Sequence, residues 1–214
     1  MDQGTVIIVD DDAAIRTALG DLLESADYAV TTFDSARAFL DGPVTPGAAC
    51  LLLDVRLPEL SGLDLQGLLR AEGRELPIIF MTGHATVPMT VQAMKAGAQE
   101  FLTKPVEETA LLAAVADAIE QHRRRLASEE GLADLRARRE QLTPREAEVM
   151  DFVIGGLMNK QLAGAIGTTE ITAKVHKRRV MEKMGARSLL DLVRMAERLG
   201  LSATPLRPGR PPGS

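Results

Sequence analysis

The chain has 214 residues, 45% of them hydrophobic and 26% charged, a composition typical of globular proteins with one large or two small domains. No apolar stretch approaches the roughly 20 residues of a membrane-spanning helix. No basic leader precedes the first strand pattern, so we expect a cytoplasmic protein without membrane association. Cys50 is the only cysteine, which excludes an internal disulfide and favours a buried, unreactive thiol.

The net charge of −5 conceals a difference between the two halves of the chain. Residues 1–121 carry 7 Lys and Arg against 19 Asp and Glu, a net of −12, whereas residues 122–214 carry 18 against 11, a net of +7. A basic half is typical of a polyanion partner, but it is equally typical of a solvated surface. The positions of the basic residues must therefore decide between the two.

Strand and helix patterns alternate over residues 1–121. Strands are predicted near 5–10, 28–33, 49–54, 77–82 and 100–103, and helices near 13–26, 35–41, 62–72, 86–96 and 107–125. Short, continuous apolar runs between helical segments indicate parallel strands that are buried on both faces. Five such units predict a doubly wound α/β fold, a five-stranded parallel sheet with right-handed crossovers and helices on both faces.

Polar side chains follow four of these predicted strands, namely Asp10 with Asp11, then Asp54, Thr82 and Lys104. Ligands bind at the carboxyl ends of the strands in an open α/β sheet, so we expect these side chains to share one cleft. Three carboxylates repel one another and would not all stay ionised without a cation. Because oxygen ligands with open positions suit Mg²⁺, the sequence predicts a magnesium site there.

The fifth helix pattern continues toward a charge-rich segment, residues 122–141. Leu112, Val115 and Ile119 follow the alternating three-and-four spacing of a coiled-coil seam, and Gly131 weakens the end of the pattern. Two interpretations stay open: a helix that packs on the sheet and is followed by a charged linker, or one continuous helix that serves as a strut or dimer seam. Four prolines and two glycines predict that the tail, 202–214, is disordered.

The segment 142–201 has no strand pattern and predicts an all-α domain of four helices. The helices are expected near 144–155, 159–166, 170–184 and 188–199. Thr143, Pro144 and Glu146 have the spacing of a capping box with proline at the first helical position. Thr169 is in turn the expected N-cap of the third helix.

The motifs of the first half resemble the two-component receiver domain, a flavodoxin-like fold, over residues 4–121. They are Val9-Asp10-Asp11, Leu53-Asp54 with Pro58 and Gly62, Met81-Thr82-Gly83, and Lys104-Pro105. The resemblance implies that Asp54 accepts a phosphoryl group from a sensor histidine kinase. It also implies that Asp11 and Asp54 hold Mg²⁺ with the backbone carbonyl of Arg56, while Asp10 acts mainly through a water.

The same resemblance assigns phosphoryl oxygens to Thr82 and Lys104. Thr82 and Phe101 would form a switch, with Phe101 turning inward as Thr82 moves, although an ordinary core role for Phe101 fits the sequence equally well. A phosphoaspartate enzyme of the haloacid dehalogenase type would need a second acid two residues after its nucleophile. Arg56 occupies that position, so we expect no enzyme.

The second half resembles the LuxR-type helix-turn-helix of FixJ/NarL-class regulators, and the whole chain resembles the FixJ branch. The matching residues include Leu142-Thr143-Pro144-Arg145-Glu146, Asn159-Lys160, Thr172, Lys174-Val175-His176 and Lys183-Met184. The helix 170–184 carries five Lys and Arg against two Glu. We expect Lys174 and Arg178 at base edges, Lys177 and Thr172 at phosphates, and Val175 at the DNA as well. Ile171, Val175, Val180 and Met184 are expected to supply apolar contacts to the rest of the domain.

Together these features predict a response regulator. Its parts would be a receiver domain over 1–121, a charged helical linker over 122–141, a LuxR-type DNA-binding domain over 142–201 and the tail over 202–214. Phosphorylated on Asp54, it would form a homodimer, bind double-stranded promoter DNA and act with RNA polymerase, most simply as an activator. The alternative is a DNA-binding regulator of the same fold that acts without phosphorylation.

Overall fold

The computed structural model describes residues 3–201, and the predicted disordered tail, 202–214, lies outside the described residues. The chain divides into two compact units, Met1–Ala127 and Ser128–Ser214. Over 3–201, no helix combines the length and the apolar character that a membrane span requires. Each unit has its own hydrophobic core, so each is described separately below.

The first unit contains a parallel sheet in the strand order β2-β1-β3-β4-β5. Its strands are β1 Thr5–Val9, β2 Ala29–Phe33, β3 Ala49–Asp54, β4 Ile78–Thr82 and β5 Glu100–Thr103. Its first four helices are α1 Ala13–Ser25, α2 Ala36–Asp41, α3 Gly62–Ala71 and α4 Val87–Lys95. The predicted doubly wound α/β fold is confirmed, and every strand lies within a residue or two of its predicted place.

Successive residues of the central strands enter two different cores, because side chains alternate between the faces of a sheet. On β3, Leu51 and Leu53 pack on one face, whereas Cys50 and Leu52 pack on the other. All six residues of this strand are buried, while the edge strands β2 and β5 are partly exposed. Burial on both faces explains why the central strands read as continuous apolar runs.

Helix α5 runs without interruption from Glu108 to Glu140, 33 residues, and so includes nearly all of the charged segment 122–141. The structure therefore favours the continuous helix over a helix with a separate irregular linker. Ion pairs between Glu120 and both Arg123 and Arg124 lie one turn apart on its surface, as helical spacing allows. Gly131 costs a helix about 1 kcal/mol but does not end it. The dimer seam stays a prediction.

The second unit contains four further helices, α6 Pro144–Ile154, α7 Asn159–Ala165, α8 Glu170–Met184 and α9 Leu189–Arg198, as predicted. Its core includes Val149, Leu162, Val180 and Leu192, one from each helix. The predicted capping box is present at the start of α6. The Thr143 hydroxyl accepts from the Glu146 amide at 3.2 Å, and the Glu146 carboxylate accepts from the Thr143 amide at 2.9 Å.

Candidate functional site

Lys104 joins two carboxylates at the carboxyl end of the sheet. Its Nζ donates to Asp10 Oδ2 and to Asp54 Oδ2, each at 2.5 Å. Asp10 follows β1, Asp54 ends β3 and Lys104 follows β5. In the sheet, β3 lies between β1 and β4, and β5 is the edge strand next to β4. Both carboxylates are buried. The predicted convergence of these three side chains is what the structure shows.

The second oxygen of each carboxylate accepts a backbone amide. Asp10 Oδ1 accepts from the Asp12 amide at 3.0 Å, and Asp54 Oδ1 accepts from the Arg56 amide at 2.8 Å. Arg16, which the sequence did not single out, donates from Nη1 to the backbone carbonyl of Asp10 at 2.7 Å. Each carboxylate is therefore fixed at both oxygens, and Asp10 is also held through its main chain.

Burial and the Lys104 ammonium act in opposite directions on Asp10. Burial raises the pKa of Asp10 above its ordinary value, and the hydrogen bonds from Lys104 and Asp12 offset only part of that rise. For Lys104, burial alone would lower the pKa, but the hydrogen bonds to Asp10 and Asp54 outweigh it and the pKa is raised. Lys104 thus stays a cation, and one positive charge faces two carboxyl groups.

Asp11 completes a cluster that suits a divalent cation. One carboxylate oxygen from each of Asp10, Asp11 and Asp54 lies within 4.8 Å of the others. Asp11 is exposed while the other two are buried, so the cluster is open on one side. Hard oxygen donors with room for further ligands are the set that Mg²⁺ prefers, and these residues fit it. The role of the Arg56 carbonyl stays a prediction.

Thr82 lies at the end of β4 and is fully buried. Its hydroxyl oxygen accepts from the His84 amide at 3.3 Å, and its carbonyl accepts from the Lys104 amide at 2.8 Å, which ties β4 to the residue that binds both carboxylates. Phe101 is half-buried, and its ring centroid lies 6.1 Å from that of Phe80. Both interpretations of Phe101, switch and core residue, stay open.

Gly62 begins α3 and lies against the strand that carries Asp54. A Cβ on Gly62 would stand 2.3 Å from the Asp54 carbonyl oxygen and 3.1 Å from Val55 Cα. The Gly62 amide also donates to the Val55 carbonyl at 3.0 Å. Only glycine allows this close approach. The first residue of α3 therefore packs directly against the main chain at Asp54 and restricts its position.

In the second unit, α8 has one buried and one exposed face. Ala173, Val180 and Met184 are buried, while Thr172, Lys174, Val175 and Arg178 are exposed and Lys177 is half-buried. The predicted cap is present, because the Thr169 hydroxyl accepts from the Thr172 amide at 3.2 Å. The residues predicted to contact DNA therefore lie on one accessible helix, with its first turn ordered by a cap.

Two residues of α8 differ from what the sequence predicted. Ile171 and Val175 were expected to pack inside the domain, but they are 80% and 43% exposed. The helix buries the small Ala173 instead.

Lys183 also counts toward the basic character of α8, yet its Nζ donates to the buried Glu146 at 2.6 Å and to the Gln141 carbonyl at 3.0 Å. The ammonium of Lys183 is thus the partner of a buried carboxylate within the second unit.

Comparison with known proteins points to one family. The model of the response regulator receiver domain matches residues 6–116, and that of the bacterial regulatory proteins of the luxR family matches residues 140–196. Nodulation protein W of Bradyrhizobium diazoefficiens is 48% identical over 198 residues, which cover 92% of this chain and 87% of that protein. The transcriptional regulatory protein FixJ of the same organism is 43% identical over 199 residues, or 93% and 97% of the two chains.

Solved structures agree with these matches. The response regulator StyR is 45% identical with a TM-score of 0.83, and the match covers 91% of this chain and 98% of StyR. Full-length FixJ from B. japonicum is 43% identical with a TM-score of 0.58, covering 94% and 98%. The resemblance inferred from the motifs is confirmed: the chain belongs to the two-component response regulators that combine a receiver domain with a LuxR-type DNA-binding domain and regulate transcription.

Proposed function

We propose that Asp54 accepts a phosphoryl group from a sensor histidine kinase and that this reaction controls DNA binding by the second unit. The observation that carries the proposal is the position of Lys104, whose ammonium contacts both Asp54 and Asp10 at 2.5 Å. A carboxylate that attacks a phosphoryl group must overcome the repulsion between two anions. A fixed cation beside Asp54 lowers that barrier because it stabilises negative charge as it accumulates.

In the proposed step, an Asp54 carboxylate oxygen forms a bond to phosphorus while the phosphorus–nitrogen bond of the kinase phosphohistidine breaks. The imidazole nitrogen leaves with the electron pair of that bond. Receiver domains generally bind Mg²⁺ at this acidic cluster, and held by Asp10, Asp11 and Asp54 the ion would neutralise charge on the phosphoryl oxygens. Lys104 supplies a second positive charge from the protein itself, and the Arg56 amide keeps the Asp54 carboxylate oriented.

The proposed response begins at Thr82, which is buried next to the Lys104 backbone. New acceptor oxygens on Asp54 would attract the Thr82 hydroxyl, and Phe101 could then fill the vacated space. On α4, Val87, Val91 and Met94 are exposed apolar side chains. They support the proposal that the phosphorylated chains form a homodimer through α4 and β5.

For DNA binding, we assign the base edges to Lys174 and Arg178, the phosphates to Thr172 and Lys177, and a further DNA contact to Val175. All five lie on α8, and four of them are exposed. A recognition helix in the major groove uses such side chains in these two ways. A dimer presents two such helices to two half-sites, so dimerisation raises the affinity for promoter DNA. Activation through RNA polymerase is the simplest outcome.

The test is Asp54→Asn, with Asp117→Asn on the exposed surface of α5 as the matched control. We expect the native protein and the control to incorporate labelled phosphate from a phosphodonor in the presence of Mg²⁺, and the Asp54 variant to incorporate none. Acid-labile label on the Asp54 variant at the native rate would move the acceptor to another residue. Equal promoter affinity before and after phosphorylation of the native protein would instead favour the phosphorylation-independent regulator.

A further inference from the structure

An exposed apolar pair lies among the charged residues of α8. Ile171 is in the first turn of the helix and 80% exposed, and Val175 is one turn further along and 43% exposed. Residues four apart are neighbours on a helix surface, so the two side chains form one patch. Lys174 and Arg178 lie on the same exposed side of α8, and the patch is therefore flanked by cations.

This patch does not belong to the core of the second unit. That core takes Ala173, Val180 and Met184 from α8, and at about 100° per residue Ile171 and Val180 point to opposite sides of the helix. A single exposed apolar residue needs no explanation. The position of Ile171 does call for an explanation, because it is the second residue of α8, two residues after the N-cap Thr169. The amino-terminal residues of a recognition helix face the base edges.

The flanking cations indicate which partner the patch contacts. Lys174 and Arg178 favour a polyanion, which agrees with double-stranded DNA and disfavours a wholly apolar protein surface. In the major groove of DNA, the 5-methyl group of thymine is the apolar feature that the bases present. An exposed branched apolar side chain beside base-contacting cations is therefore complementary to a thymine and not to a cytosine or guanine.

We propose that Ile171, together with Val175, recognises the methyl group of one thymine in each half-site, so that Ile171 determines specificity. The inference rests on the proposed DNA binding and adds a residue and a base to it. Burial of one methyl group is worth about fourfold in affinity. Because Ile171 carries no charge, its contribution does not change with salt concentration, unlike that of the neighbouring cations.

The test uses the full-length, phosphorylated protein and a duplex that this protein selects from a random library. Each thymine of the selected duplex is replaced singly by deoxyuridine, which lacks only the methyl group. For the native protein we expect a loss of about fourfold at one position of each half-site. Ile171→Ala should bind the thymine duplex more weakly than the native protein, by up to about fourfold, and should lose less than the native protein to deoxyuridine at that position alone, because only Val175 still contacts the methyl group.

Val44→Ala is the matched control, because Val44 is a branched apolar residue of the first unit that is 82% exposed. This variant should respond to every deoxyuridine as the native protein does. If Ile171→Ala loses the same factor as the native protein at every thymine, Ile171 has no thymine contact and the inference is wrong even though DNA binding stands. If the native protein selects no duplex at all, the proposed DNA binding fails and the inference fails with it.

Discussion

The two functional regions of the chain use charge in opposite ways. At the carboxyl end of the sheet, Asp10, Asp54 and Lys104 are largely buried and bound to one another. On α8, Lys174 and Arg178 are exposed, and Arg178 pairs with Glu182 one turn away at 3.0 Å. Buried charges are weakly screened by salt and act through exact position, whereas exposed charges act over about 10 Å and are screened at 0.1 M salt.

The two regions also differ in how the sequence assembles them. Lys104 is 94 residues from Asp10 and 50 from Asp54, so the first site exists only when the sheet has formed. The exposed cations of α8 lie within one helix of 15 residues. We therefore expect the first site to be sensitive to small changes in packing, and the second to respond to charge and ionic strength.

Removal of the central cation should have the largest effect. Lys104→Met removes the ammonium that contacts both Asp10 and Asp54, and we expect phosphorylation of Asp54 to slow by about 100-fold or more, the usual loss for a positioned electrostatic group. The rate of phosphate incorporation from a small phosphodonor measures it. Lys95→Met, at an exposed position of α4, is the control and should keep the native rate. A normal rate for Lys104→Met would mean that other groups neutralise the site.

Two glycines of α3 test the sensitivity to packing. Gly62→Ala should destabilise the first unit by about 1 to 3 kcal/mol, because the new Cβ would meet the Asp54 carbonyl oxygen at 2.3 Å. Gly67 has nothing within 4 Å of such an atom, so Gly67→Ala should stabilise the helix by about 0.5 to 1 kcal/mol. Urea unfolding followed by the fluorescence of Tyr28, the only tyrosine, measures both. Equal effects would show that the main chain at Asp54 tolerates displacement.

In the second unit, the buried contact of Glu146 predicts a dependence on pH. The hydrogen bond from Lys183, with that from the Thr143 amide, lowers the pKa of Glu146 from 4.5 to about 2. The folded state therefore binds this proton less readily than the unfolded state, so the stabilisation is complete above about pH 5 and is lost as the pH falls toward 2. Glu146→Gln should lower the stability at neutral pH by about 1 kcal/mol, because Lys183 loses its anionic partner while glutamine can still accept from the Thr143 amide.

The measurement for Glu146→Gln is urea unfolding by far-ultraviolet circular dichroism at several pH values, with Tyr28 fluorescence separating the transition of the first unit. The variant should show a flatter loss of stability between pH 5 and pH 2 than the native protein. Glu148→Gln is the control, because Glu148 pairs with Arg145 at a partly exposed position, and such pairs contribute at most about 1 kcal/mol. A native pH profile in Glu146→Gln would assign the acid sensitivity to other carboxylates.

The smallest expected effect is on the salt dependence of DNA binding, and it distinguishes cations of α8 that contact DNA from those that do not. Lys177→Ala should reduce the salt dependence of DNA binding by about one unit of slope per bound protomer, since each phosphate contact contributes about that much. Lys183→Met should leave the slope unchanged, because its ammonium is bound to Glu146 and the Gln141 carbonyl. Binding measured over a series of salt concentrations gives both slopes. Equal losses in the two variants would place Lys183 at the DNA.

The sequence predicted the fold and the buried site well, because topology determines both. Once four strands were placed, the carboxyl ends had to bring Asp10, Asp54, Thr82 and Lys104 to one edge of the sheet. Contacts that depend on side-chain direction could not be predicted in the same way. Arg16 reaches the Asp10 carbonyl through a side chain with many rotamers, and no sequence pattern marks it.

On α8, counts of charge and of apolar residues gave misleading signals. Lys183 contributes to the net charge of the helix, but its partner Glu146 is 37 residues away in the sequence. Ile171 is an apolar residue that the sequence predicts to pack against the rest of the domain, but it is exposed, and Ala173 is buried instead. A small buried residue gives little signal in an apolar pattern, so the sequence identifies Val180 and Met184 on the buried face but not Ala173.

The burial of Cys50 in the central strand β3 makes its rate of alkylation a measure of how often the first unit opens. Its thiol is inaccessible, and burial raises its pKa to about 12, so it cannot react with alkylating reagents while the sheet is intact. Because Cys50 is the only cysteine, every alkylated chain has opened its first unit, whatever the state of the second. The rate of alkylation therefore counts opening events of the sheet in native buffer, and it can be followed by mass alone, with bound DNA or kinase present.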